Sequence, residues 1–464
     1  MTMHDSGWKR HVSAKTCLIA GGVFIMLIAL YLRTVAVKDT DFDRPFRADV
    51  VQYYITAYNL ETYGVYSHIL NLVDGKVSAP QPDAFLTPGY PLFLSLFVDA
   101  PPNTQTLIEV LGYQALMGTL AVLLTLLLYQ RFPPWVALPA GLLTAISPHL
   151  ISIGTYMLSE TLFSVLLLLS LLVLSCSSRG DRWYLPSLLA GGVLLGIAAL
   201  TRPVLEFFPL AVIFLLLTGY DRRTAFRGSA ALLLGFVLAW TPWIARNYIS
   251  LGKAGDSGNM AQTLAVGMYP DFEYEHNPRS NGEPGHLDPR FPEISRNLGA
   301  VVGEIAHRFR ENPGEELRWY LIGKPVTLWS WHDVSGGPDV FTYPVFKTPY
   351  SNSWPFTSTH ALMYDLHWIL VLLAFFGCLV VWLPWARDWM TLEQLLLARL
   401  SSLLLLYNTA VLMVLAPFVR YSIPFLPVQY GMALIAILVS ARWFILRRAG
   451  LSAADRAAGS VVRQ

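Results

Sequence analysis

The chain has 464 residues, 54% hydrophobic and only 14% charged, with a formal net charge of +2 and a mean hydropathy of +0.46. A soluble domain carries about 25% charged residues, so a chain this long and this poor in charge reads as a polytopic membrane protein. With charge almost balanced, and no basic cluster interleaved with aromatics, nucleic acid is excluded as a partner.

In chain order, Lys9, Arg10 and Lys15 precede the apolar run Cys17–Leu32. A signal peptide has such a start, but this run is long and no small-x-small cleavage site follows, so we expect a retained signal-anchor helix. Apolar runs of spanning length then predict about ten transmembrane helices. They are Cys17–Val37, Leu107–Tyr129, Trp135–Ile153, Leu158–Cys176, Tyr184–Leu200, Val204–Leu217, Ala230–Ile249, Leu366–Leu383, Leu395–Pro417 and Tyr421–Leu446. Cys17, Cys176 and Cys378 all fall in or at the end of such runs, which leaves no disulfide framework for the loops.

With ten spans, the Lys and Arg of the short loops fall on one side: Lys9, Arg10, Lys15, Arg179, Arg182, Arg222, Arg223, Arg227, Arg387, Arg447 and Arg448. This bias puts both termini in the cytoplasm. The expected division is a transmembrane module over 1–249 with a first outer loop at 38–106, a large outer loop at 250–365, C-terminal helices at 366–448 and a tail at 449–464. In the large loop, Ile294, Leu298, Val301, Val302, Ile305 and Phe309 recur at helical spacing before the stop Asn312-Pro313-Gly314. Glu315–Trp331 follows, too short to span, with tryptophans suited to a juxtamembrane helix at headgroup level.

The candidate site residues cluster at the outer ends of the spans. Asp49 opens a segment with Val50, Tyr53, Tyr54, Ala57 and Leu60 on one face, ending at Gly64. Two readings fit it: a helix cap, with Gln52 completing a capping box, or a base, since a carboxylate just outside the bilayer is ionised at neutral pH. Asp39, Asp41 and Asp43 read as solvated linker. Glu160 stands at a span start, where a carboxylate either faces a cavity or serves the helix dipole. His149 shares its turn, as a substrate contact or as solvated surface.

Arg202, Arg246 and Arg420 defy the charge bias, each beside proline or an aromatic. A guanidinium there can grip a phosphate by two parallel hydrogen bonds or snorkel to lipid headgroups. Lys324 has the same two readings. No His-Glu-x-x-His, Walker or Gly-x-Ser-x-Gly motif occurs.

In sum these residues resemble the GT-C membrane glycosyltransferases, in the family of the aminoarabinose transferase of lipid A and the protein O-mannosyltransferases. The resemblance is carried by Asp49, Tyr53, Ala57, Asn59-Leu60 and Gly64-Val65-Tyr66-Ser67; by Pro88-Gly89-Tyr90-Pro91; and by Pro148 through Ser159-Glu160. Thr201-Arg202-Pro203, Pro242-Trp243, Arg246-Asn247 and Arg420-Tyr421 with Pro424 complete it. Val50 stands where many relatives carry Glu.

The resemblance implies an all-α bundle in the cell inner membrane with an extracytoplasmic active site. There Asp49, with Glu160 as the second acid, would move a sugar from a polyprenyl-phosphate donor to an acceptor hydroxyl with inversion. Arg202, Arg246, Lys324, Arg420, Tyr421, Tyr53 and His149 would bind substrate. The resemblance leaves a divalent cation, Mg²⁺ or Mn²⁺, open, with Asp49 and Glu160 as its shared ligands. The acceptor, whether glycan, lipid or protein, is not specified. The rival reading is a transporter or flippase, which predicts ionisable groups at mid-membrane and broken helices paired between two halves.

Overall fold

The computed structural model describes residues 4–73, 76–98, 101–179, 181–280, 282–332, 339–384 and 386–461. The first half runs α1 (His4–Asp39), β1 (Asp41–Phe42), α2 (Asp49–Tyr63), the ribbon β2 (Asn71–Val73) and β3 (Lys76–Ser78), α3 (Gly89–Leu94), α4 (Thr104–Tyr129), α5 (Pro134–Ile146), α6 (Pro148–Ser152), α7 (Glu160–Leu174), α8 (Asp181–Thr201), α9 (Phe208–Gly219) and α10 (Arg222–Leu251). The large loop holds α11 (Gly258–Gly267), α12 (Phe291–Ile294), α13 (Leu298–Glu311), α14 (Pro313–Arg318), α15 (Lys324–Leu328), β4 (Val345–Lys347) and α16 (Pro349–Asn352). The chain ends with α17 (Phe356–Val380), α18 (Ala386–Trp389), α19 (Leu392–Val414) and α20 (Leu426–Val461).

The protein is an all-α polytopic bundle. Among the described residues eight helices are long and apolar enough to cross a membrane. The run read as Trp135–Ile153 is two helices bent by 51° where Ser147 and Pro148 interrupt it, and makes a ninth span if counted as one. Residues Pro203–Gly219, read as a span, form a shorter apolar helix. The eighth predicted span starts ten residues earlier than read, at Phe356, because Thr357, Ser358, Thr359, His360 and Asp365 hide its outer end from a hydropathy reading.

Val419–Trp443 is the best-covered span and packs along α17, whereas Arg222–Leu251 leans on α8 and leaves most of its surface outward. Its exposed Leu233, Leu234, Val237 and Leu238 are a lipid-facing surface.

The outer loops are built on this frame. α2 buries Val50, Tyr54 and Ala57, and Gly64 closes it in the left-handed conformation (φ 68°) that glycine adopts without a Cβ clash. The Asn59 amide donates to the carbonyls of Ser67 and Ile69, both at 2.9 Å, which folds the chain back after the helix. In the second loop α13 starts at Leu298, capped by Asn297, and Ile294 belongs to a separate short helix. The Trp-rich segment is helical from Pro313 to Leu328 through a π-turn at Trp319–Gly323, and Trp329 and Trp331 lie beyond its end. The loops meet where β1 pairs antiparallel with β4, Asp41 opposite Lys347 and Phe42 opposite Val345.

Candidate active site

Asp49 is the first residue of α2 and does not cap it. The cap position is Ala48, at φ 47° and ψ −128°, and neither it nor Gln52 makes a side-chain cap. The capping box fails because the Asp49 carboxylate is engaged elsewhere. Its Oδ2 accepts from Arg420 Nη2 at 2.6 Å, and the side chain is 37% exposed. A non-glycine residue in Ala48's conformation costs about 1–3 kcal/mol and persists only where its surroundings enforce it.

Two breaks in the helical frame deliver the arginines. Thr201 ends α8, and Arg202, ahead of Pro203, is extended (φ −144°, ψ 119°), as a residue before proline is forced to be. Pro417 follows the end of α19, and Arg420 lies in the single 3₁₀ turn Val419–Tyr421 that leads to Pro424. The motif Pro88-Gly89-Tyr90-Pro91 packs against the first break. Thr87 Oγ1 donates to the Thr201 carbonyl at 3.3 Å, and a Cβ at position 89 would come within 2.7 Å of Thr201 Cα.

Glu160, at the start of α7, is 2% exposed and accepts from Arg202 Nη1 at 2.6 Å. The same nitrogen donates to Ser159 Oγ at 3.1 Å, and Ser159 Oγ lies 3.4 Å from the Tyr53 hydroxyl. Burial is the largest influence on the Arg202 pKa and depresses it, but Glu160, Tyr53 and Tyr421 together outweigh it and the net shift is upward, so the charge is held. Burial first and then Asp49 push the Tyr53 phenol up to about 12. The second Glu160 oxygen faces a small cavity shared with Arg33, Thr161 and Ser164.

Tyr421 joins the two ion pairs. The guanidinium of Arg202 lies 4.9 Å from its ring centroid and that of Arg420 5.2 Å. Arg420 also donates to the Tyr343 hydroxyl at 3.4 Å, and the Arg47 guanidinium carbon lies over the Tyr343 ring, 5.3 Å from its centroid. Thus Asp49, Glu160, Arg202, Arg420, Tyr421 and Tyr53 converge. Tyr343 and Arg47, which the sequence reading did not single out, complete the group. Tyr343 arrives through β4, whose only sequence signal is the short Val345-Phe346-Lys347.

The other three candidates are engaged elsewhere. Arg246 donates to the Asp83 carbonyl at 2.6 Å and the Tyr66 carbonyl at 2.9 Å, so it pins the first outer loop to α10. Lys324 is fully buried, and its ammonium donates to the Val414 and Leu415 carbonyls at 3.2 and 2.9 Å. It neutralises the negative end of α19, and burial pulls its pKa down to about 7. His149 is buried and donates from Nε2 to the Trp331 carbonyl at 2.8 Å. Asp49 and Glu160 do not fit a shared divalent cation: each is held by its own arginine, and no cluster of three ligating side chains exists among the described residues.

Residues 82–245 match the family model described as dolichyl-phosphate-mannose-protein mannosyltransferase, which covers well under half of the chain. A search of curated proteins returns no match. Among solved structures the chain is similar to the archaeal oligosaccharyltransferase AglB from Archaeoglobus fulgidus in complex with an inhibitory peptide and a dolichol-phosphate. That match has a TM-score of 0.51 and 15% identity, over 94% of this chain and 52% of that one. The apo oligosaccharyltransferase of the same organism gives 0.50 and 14%, over 94% and 52%. At such identity the likeness is one of fold, and the chain spans about half the length of these relatives.

Proposed function

We propose that this chain, whose fold is that of the GT-C superfamily of membrane glycosyltransferases, transfers a sugar from a polyprenyl-phosphate donor to an acceptor hydroxyl. The reaction takes place on the extracytoplasmic side of the inner membrane. The observation that carries this reading is the pair of carboxylate–arginine contacts, Asp49–Arg420 and Glu160–Arg202, brought together at Tyr421.

The two acids have different parts. Asp49 is accessible, with one oxygen held by Arg420 and the other open, and is the base. Glu160 is buried and holds Arg202, so it is a positioning residue. The acceptor oxygen attacks the anomeric carbon as its proton passes to Asp49. The bond from that carbon to the phosphate oxygen breaks, its electron pair leaves on the phosphate, and the anomeric configuration inverts. Once Asp49 is neutral, the adjacent Arg420 is an uncompensated cation beside the forming phosphate dianion. Proton transfer and leaving-group stabilisation are thereby linked through one ion pair.

A membrane assay with radiolabelled polyprenyl-phosphate sugar tests the reading. General-base help is worth about 10²–10⁴ in rate, and Asp49→Asn is expected to lose transfer on that scale. Equal transfer by wild type and Asp49→Asn would end the assignment.

A further inference from the structure

The cations placed at the site by sequence, Arg202 and Arg420, are each neutralised at 2.6 Å by a carboxylate. Two acids and two arginines sum to zero, so the paired core offers no net charge to an arriving anion. A phosphate that binds before any proton moves needs a further cation. Among the described residues, Arg47 is the arginine of this cluster with no carboxylate in ion-pair range. Its guanidinium rests on the Tyr343 ring at 5.3 Å, and the hydroxyl of that ring accepts from Arg420. Arg47 is half-buried and stands two residues before Asp49, across the reversed backbone of Ala48. Its carbonyl accepts from Val50 N–H at 3.1 Å, which fixes the turn that holds it at the head of α2.

We infer that Arg47 is the binding residue for the donor's phosphate in the resting enzyme, with Tyr343 as the aromatic rest that keeps its planar fork oriented. This rests on the lipid-phosphate donor reading and divides the labour among the arginines. Arg47 captures the anion, Arg420 answers the charge that develops during reaction, and Arg202 holds the wall with Glu160. A guanidinium already held over a ring loses little freedom when it takes two phosphate oxygens, and lysine reproduces its charge without its geometry.

The test measures binding of farnesyl phosphate and of farnesol to the purified protein in detergent, without turnover. Wild type is expected to prefer the phosphate, Arg47→Ala to lose at least about tenfold of that preference, roughly the 1.4 kcal/mol equivalent of one charge-assisted hydrogen bond, and Arg47→Lys to keep part of it. In transfer assays Arg47→Ala raises the donor KM more than it lowers kcat, and Arg420→Ala does the reverse. If Arg47→Ala does not fold, Arg47→Lys against Arg47→Gln decides: lysine must retain more phosphate preference than glutamine.

An unchanged preference in Arg47→Ala, or equal preference in the lysine and glutamine variants, overturns the inference. Displacement of farnesyl phosphate by an equal concentration of phosphatidylglycerol in the micelles also overturns it, since Arg47 would then be a headgroup anchor. A wild type that ignores the phosphate altogether refutes the donor reading instead.

Discussion

Asp49 and Glu160 make ion pairs of the same length, yet their surroundings predict opposite responses to neutralisation. Glu160 is 2% exposed, and Glu160→Gln leaves the Arg202 charge buried and unpaired. Breaking such a pair costs about 3–5 kcal/mol, so this variant is expected to melt well below wild type and lose activity with its fold. Asp49 is 37% exposed and water can take its place at Arg420. Arg420 is only 14% exposed, but the open side of Asp49 lets water reach the gap and asparagine can still accept from the guanidinium, so Asp49→Asn is expected to lose less stability than Glu160→Gln while transfer collapses. Thermal unfolding in detergent beside the transfer assay separates the two; a stable, inactive Glu160→Gln would instead place that carboxylate in the chemistry. Both acids were legible in the sequence, Glu160 because a charge at a span start stands out against apolar flanks and Asp49 because it opens an amphipathic segment. Their partners were less so. Arg202 and Arg420 stood out against the charge bias, but their pairing joins segments far apart in the chain. Tyr343 is one aromatic among many, and Arg47 precedes the Asp49 helix without any pattern that sets it apart from Arg44.

Single elements carry two more predictions. α3 abuts the break at Thr201 so closely that Gly89 has no room for a Cβ against the Thr201 backbone. Gly89→Ala is expected to push α3 off this turn and displace Arg202, lowering transfer even though alanine suits a helix better than glycine. A transfer rate equal to wild type would show that the turn yields freely. Lys324 gives a stability signal with a definite sign. Burial lowers its pKa from 10.5 to about 7, against a partial lift from Glu316. Below pH 7 folded and unfolded forms both hold the proton. Between about 7 and 10.5 the unfolded form holds it and the folded form releases it, so stability rises with pH across that window. Lys324→Met is expected to abolish the rise, read as melting temperature against pH. Helix position was legible wherever apolar runs were long. The start of α17 was missed because its first turns pack polar side chains among the loops, and the fate of Lys324 because a lysine is rarely expected to be buried at a helix end.

At the scale of the whole molecule, the two outer loops meet over the helix ends that carry Glu160, Arg202 and Arg420, bringing Asp49 and Tyr343 to them, a meeting that no local pattern in the sequence shows. The strand pair β1–β4 is short, and the ring of Phe42 in β1 meets that of Tyr156 at a tilt of 50°, 4.8 Å between centroids. The Tyr156 hydroxyl donates to the Tyr343 carbonyl at 3.0 Å and accepts from the Tyr343 N–H at 3.2 Å. Tyr343 is thus clamped by its backbone while its ring serves Arg47 and its hydroxyl Arg420. A donor arriving sideways from the bilayer need not disturb this clasp, whereas a lid that opens outward would have to part it. Asp41 and Lys347 are Cα partners across the antiparallel pair, next to a register shift that sets Phe42 opposite Val345, and a disulfide between these two positions would tie the loops together. With Cys17, Cys176 and Cys378 replaced by alanine, D41C with K347C is expected to oxidise readily and to keep its transfer rate in both redox states. Activity that vanishes on oxidation and returns with reductant would mean that the loops separate in each cycle. In that case Tyr343 would leave Arg420 whenever substrate enters, and the two ion pairs would assemble around the sugar instead of awaiting it.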